Sequence, residues 1–133
     1  MGLSLAGPFA TPACVGADGV STNTVTTPGK LVGKVIGIYI KYTGDKPGTQ
    51  DVTVTTLGTS PSIPSLTLLT LTNKVADGLF LVRQTPQGVT GVDLAALTEL
   101  EPWPIDDKLI LTTAQANTDD IVTMWVLMED DYV

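Results

Sequence analysis

Residues Leu31–Tyr42, LVGKVIGIYIKY, constrain the fold of this chain more than any other stretch. β-Branched and aromatic residues fill it, and successive residues of an extended chain point to opposite faces. Ile36, Ile38, Ile40 and Tyr42 then share one face, and Val35, Tyr39 and Lys41 the other. Both faces are largely apolar over Val35–Ile40, the pattern of a central strand covered on both sides. Gly33 and Gly37 within it mark a bulge or a close backbone approach. Such a strand needs neighbours along both edges and a second layer, and the rest of the chain must supply them.

The following segments do read as strands. Thr43–Gln50 is a loop with Pro47-Gly48 turn chemistry. Asp51–Leu57 alternates, with Val52 and Val54 inward and Thr53 and Thr55 outward. Gly58–Ser65 breaks the pattern. Leu66–Thr72 alternates again, but its phase slips between Leu68 and Leu69, which predicts a β-bulge. Asp77-Gly78 is a turn signal ahead of a short strand, Leu79–Arg83. Thr85–Thr90 is a connector. Asp93–Glu101 is the one helix-like stretch, with Asp93 as its N-cap and Pro102 as its stop.

Pro102-Trp103-Pro104 predicts a rigid extended corner, with Trp103 as a plug over one end of the core or as a ligand-stacking platform. Lys108–Thr112 is a strand, Thr113–Asp120 a loop, and Ile121–Met128 a last strand that is apolar on both faces. Glu129–Val133 is an acidic tail. About six strands with at most one small helix predict an all-β fold, a single β-sandwich or jelly-roll-like domain over residues 31–133. No internal repeat interrupts it.

Residues 1–30 contrast with this. Eight Gly and Pro residues break any period, and Leu3, Leu5, Phe9 and Val15 are spaced for neither helix nor strand. The expectation is an extended N-terminal arm, either a frayed terminus or a segment lying on a neighbouring subunit, anchored by Leu3, Leu5 and Phe9.

At 133 residues the chain is long enough to bury a core without staples. Charged residues are only 16%, below the usual quarter, so part of the surface is expected to be covered by neighbours. The net charge of −7 and seven scattered Lys and Arg residues argue against DNA or RNA as a partner, because phosphate binding needs clustered cations. No apolar run approaches the roughly 20 residues of a membrane span. The N-terminus lacks the basic region of a signal peptide, and Ala6 stands where a myristoylation motif needs Ser or Thr. With Cys14 as the one cysteine, no intrachain disulfide forms, and a cytosolic origin is expected.

The chain has no histidine, which removes Ser-His-Asp and Cys-His catalysis and the common zinc sites. Cys14 without a base is a poor nucleophile, and no phosphate-binding glycine loop is present. The acidic groups are Asp106-Asp107, Asp119-Asp120 and Glu129-Asp130-Asp131. They are read as solvated loop or interface charge, with a structural cation or a carboxylate pair as alternatives. No catalytic residue, cofactor site or metal site is assigned.

The order IGIYIKYTG, DVTV, LTLLTLTN, DGLFLVR, a DD before KLILTTAQAN, and TMWVLMED resembles small β-sandwich decoration (cement) proteins of tailed-bacteriophage capsids. The resemblance covers roughly residues 31–129. It implies a structural virion protein on the outer surface of the capsid, assembled in the host cytoplasm. It also implies a homotrimer at threefold positions that clamps the major capsid protein, and no catalytic residues. Leu3, Leu5, Phe9 and Trp103 are the expected contact residues. Two other classes stay open: a glycan- or host-surface-binding module stacking on Trp103, Tyr39 or Tyr42, and a small carboxylate hydrolase.

Overall fold

The computed structural model describes residues 2–45, 47–58, 65–84 and 101–130. Among these residues every element is a strand. In chain order they are β1 (Gly2–Ala10), β2 (Ser21–Thr26), β3 (Leu31–Thr43), β4 (Asp51–Thr56) and β5 (Thr67–Leu71). Then come β6 (Gly78–Leu81), β7 (Arg83–Gln84), β8 (Glu101–Asp107), β9 (Leu109–Ala116) and β10 (Ile121–Asp130). One sheet runs β1-β10-β3-β8-β7, with β6 also on β3, and the other runs β2-β9-β4-β5. The two antiparallel sheets pack together as a β-sandwich.

β3 is the central strand that its composition predicts. From Lys34 to Thr43 it pairs with β10 on one edge. The other edge is shared, with β8 along Leu31–Val35 and β6 along Gly37–Ile40. Val35, Ile38, Ile40 and Tyr42 of β3 and Val122, Met124, Val126 and Met128 of β10 form one wall of the core. Val52, Val54, Leu68, Leu71, Leu109 and Leu111 form the other.

Bulges reset the faces. Leu127 pairs with Gly37 but Met128 pairs with Val35, so Ile36 is an extra residue in β3. Val35 therefore points into the core beside Ile38 and not outward beside Tyr39, which corrects the simple alternation read from the sequence. In β5, Val54 pairs with Leu69 and Thr55 with Thr67, which places the extra residue at Leu68, where the phase slips.

The expected N-terminal arm is extended, but it is built into both sheets. β1 lies along β10 and β2 along β9. Between Ala6 and Phe9 the β1 register shifts, so Ala6 and Phe9 both turn towards the core despite their odd spacing. Gly7 permits this. Its φ is +129°, and a Cβ there would lie 2.9 Å from the Met124 carbonyl oxygen.

Two more expectations change. The Pro102–Pro104 segment is not a corner but part of β8, which lies between β3 and the two residues of β7 and has β7 beside it only at Glu101 and Pro102. β9 continues through Thr113 to Ala116, where a loop is expected, because Thr113 and Ala116 are themselves buried. The helical reading of Asp93–Glu101 lies outside the described residues except Glu101, which opens β8.

Tyr42 carries a testable property of the core. Its hydroxyl is buried without a hydrogen-bond partner among the described residues. Burial pushes the phenol up to about 12, with the charges of Asp77 and Asp51 adding to the effect. An unfolded tyrosine ionises near pH 10, so the stability this group supplies is complete below pH 10 and is lost as pH rises towards 12. Tyr42→Phe is expected to leave stability at pH 7 within about 1 kcal/mol of the parent and to flatten that alkaline loss. Urea unfolding at pH 7, 10 and 11.5 measures both.

Candidate contact surface

The alternation that fills the core leaves a second apolar set on the outer face of the six-stranded sheet. Residues directly opposite in a ladder point to the same face. One outward row therefore runs Leu5, Leu127, Gly37, Leu81, and the next runs Trp125, Tyr39, Leu79. Gly37 has no side chain, so the leucines of β6 lean over it. A Cβ there would lie 3.1 Å from Leu79 Cδ1 and 3.5 Å from Leu81 Cδ2.

The result is an open hollow of about 360 Å³ lined by Leu5, Tyr39, Leu79, Trp125 and Leu127, with a wholly apolar lining. The Tyr39 and Trp125 rings meet edge to face, with centroids 5.7 Å apart at 70°. Leu5, Leu79 and Leu81 remain 61%, 50% and 60% exposed, so no described residue covers this face. A contiguous exposed apolar face of this kind is a candidate interaction site. Polar residues bound it, Lys41 and Thr123 at one end and Lys34 and Glu129 at the other. The sequence reading of β3 and β10 as central strands holds, and among the described residues a second layer covers their inner face alone.

The four residues expected to make contacts are split. Leu5 lines the hollow, and Leu3 faces the same way two residues along β1. Phe9 turns inward against the core. Trp103 packs on the core at the far end of β8, beside a hollow of about 100 Å³ shared with Thr56, Leu66 and Ile105. Of the aromatic residues considered for stacking, Tyr42 is buried and Tyr39 is exposed. Trp125, Leu127, Leu79 and Leu81 were not singled out from the sequence, although their alternation with the core residues of β10 and β6 was the available signal.

The acidic residues hold loops. Asp120 is buried, and its carboxylate oxygens accept hydrogen bonds from the backbone N–H groups of Asp45 (2.8 Å) and Asn117 (2.9 Å). Asp107 is likewise buried and accepts from the Gly58 and Lys108 N–H groups, both at 2.8 Å. Asp106 points to solvent, 4.0 Å from Lys30 Nζ. Among the described residues no group of three acidic or sulfur ligands stands close enough to hold a metal. Cys14 is buried, and burial, followed by the Asp120 charge, pushes its thiol up from the ordinary value.

No family model matches the chain, and neither does any curated protein or solved structure.

Proposed function

We propose that this chain is a structural protein that works by contact, decorating the outer surface of a phage head and cementing neighbouring major capsid protein subunits. The observation that carries this reading is the open apolar face around Trp125, Tyr39, Leu79 and Leu127 on a rigid sheet. A protein that acts by adhesion needs such a face and a fold that holds it flat, and central β3 and β10 supply both. Burying this face against a partner would bring apolar contact comparable to the core of a standard interface. Leucines make up three of the five lining residues, which suits an apolar protein contact better than a hydroxyl-rich glycan.

The test is sedimentation of the purified chain with phage heads assembled without it. Saturable co-sedimentation, in a fixed ratio to the major capsid protein, is expected. Free chain remaining in the supernatant at micromolar concentration would overturn the reading.

A further inference from the structure

We infer that residues 2–14 are an exchangeable arm, and that two copies of the chain swap these arms about a hinge at Val15–Val20. This goes beyond the contact reading and stands without it. Among the described residues β1 has β10 as its strand neighbour, and the chain keeps to β10 after β1 ends. Thr11 donates its N–H to the Val122 carbonyl and Cys14 to the Asp120 carbonyl, both at 2.9 Å. The buried hydrophobic cluster takes no residue from the arm, and Ala6 and Phe9 pack only against its margin. A backbone ladder therefore does most of the holding. The β10 of a second copy offers the same ladder in the same register, so exchange needs no new complementarity.

The hinge is what differs between the closed and the exchanged forms. In the single chain Val15–Val20 turns back on itself, with Gly16 at φ +121° and Gly19 at φ +84°. Val15 and Val20 are left 66% and 68% exposed. VGADGV reads nearly the same in both directions, and a two-fold contact must be complementary to itself. Straightened and paired antiparallel, Val15 of each copy opposes Val20 of the other, Gly16 opposes Gly19, and Ala17 opposes Asp18. Extended, the hinge spans roughly 20 Å, enough to carry an arm across to the second copy. The turn gives up the Val20 N–H bond to Ala17, the Val15–Thr22 pair, and the contacts of Asn117 with Gly19 and of Thr118 with Gly16 and Asp18. The hinge ladder and its two valine pairs replace them.

Each copy contributes its arm and the groove that receives the other arm. That is roughly 25 residues a side, the size of a standard interface of about 1,600 Å². The apolar hollow then takes Leu5 from one copy and Tyr39, Leu79, Trp125 and Leu127 from the other. The exchange is two-fold, unlike the threefold contact the resemblance implies.

Disulfide trapping in the full chain, refolded from urea at about 100 µM, tests the exchange. Leu5 and Leu127 are directly opposed, and opposed residues have Cα atoms about 4.5–5.5 Å apart, within reach of a disulfide. Leu5→Cys with Leu127→Cys closes within one chain if the arm stays home and between two chains if it is exchanged. About tenfold more covalent dimer is expected from this pair than from Leu5→Cys with Leu81→Cys, and the yield falls on refolding at about 1 µM. A Cβ at Gly19 meets nothing within 4 Å, so Gly19→Ala penalises the turn through its φ alone. It is expected to raise the dimer fraction about threefold in sedimentation equilibrium. A disulfide confined to the monomer, equal dimer from the two cysteine pairs, a covalent trimer, or a Gly19→Ala chain no more dimeric than the parent would overturn the exchange.

Discussion

Leu79→Asp combined with Leu81→Asp is expected to weaken binding to heads about a thousandfold while the chain stays folded. Both side chains are at least half exposed, so their replacement removes little from the core. Surface substitutions of this kind usually cost within about 0.5 kcal/mol each. In the bound state the balance differs. Two leucines, each worth about 1 kcal/mol for the half still exposed, are lost, and two carboxylates must be desolvated against an apolar face. A total of about 4 kcal/mol corresponds to a thousandfold change in affinity. Aspartate is the informative choice, because a lysine stem could cover the same leucine surface and lift its charge into water. Isothermal titration against heads gives the affinity, and a thermal melt of the free variant shows that the fold persists.

The largest stability effect is expected at Asp120. Its buried carboxylate ties the β9–β10 turn to the β3–β4 loop through the Asn117 and Asp45 N–H groups. Its backbone is engaged too, with the carbonyl accepting from Cys14 N–H. Asp120→Ala leaves two backbone donors without their acceptor, and each such loss costs about 1–3 kcal/mol. The sum, about 2–6 kcal/mol, is a large part of the roughly 5–15 kcal/mol that holds a domain together. A fall in melting temperature of about 10 °C is expected. Gly44→Ala attacks the same joint from the other side. Its Cβ would overlap Asp120 Oδ1, and the φ of +119° at Gly44 suits only glycine. Asp106→Ala is the control, because its ion pair with Lys30 is long and exposed and is worth well under 1 kcal/mol. Equal melting temperatures for Asp120→Ala and Asp106→Ala would contradict this assignment.

The sandwich was legible because its core strands are local patterns. The runs at Val35–Tyr42, Asp51–Thr56 and Ile121–Met128 announce strands by alternation or by β-branched density, and the slipped phase at Leu68 announces its own bulge. What escaped is set by partners distant in sequence. Gly2–Ala10 shows no clean period because the shift at Gly7-Pro8 moves Phe9 onto the face of Ala6, and only pairing with β10 makes that a strand. Ser21–Thr26 is polar and becomes a strand through β9. Pro102 and Pro104 read as a corner, yet β7 reaches only Glu101 and Pro102, so past Pro102 β8 has β3 alone as a strand neighbour among the described residues and tolerates a residue without an N–H. The contact surface was half visible. The sequence places apolar residues on both faces of β3 and β10, but whether the second face meets another layer or solvent depends on how many layers the chain builds, which no local pattern encodes.

Hydroxyl-radical footprinting of the chain, free and bound to heads, tests the central claim most directly, because it reads side-chain exposure residue by residue. Trp125, Tyr39, Leu79 and Leu81 are predicted to lose at least fivefold in oxidation rate on binding, while Leu57 and Leu66 at the opposite sheet keep theirs. Unchanged oxidation of the Trp125–Leu79 face, with protection at Trp103 and Leu66 instead, would contradict it.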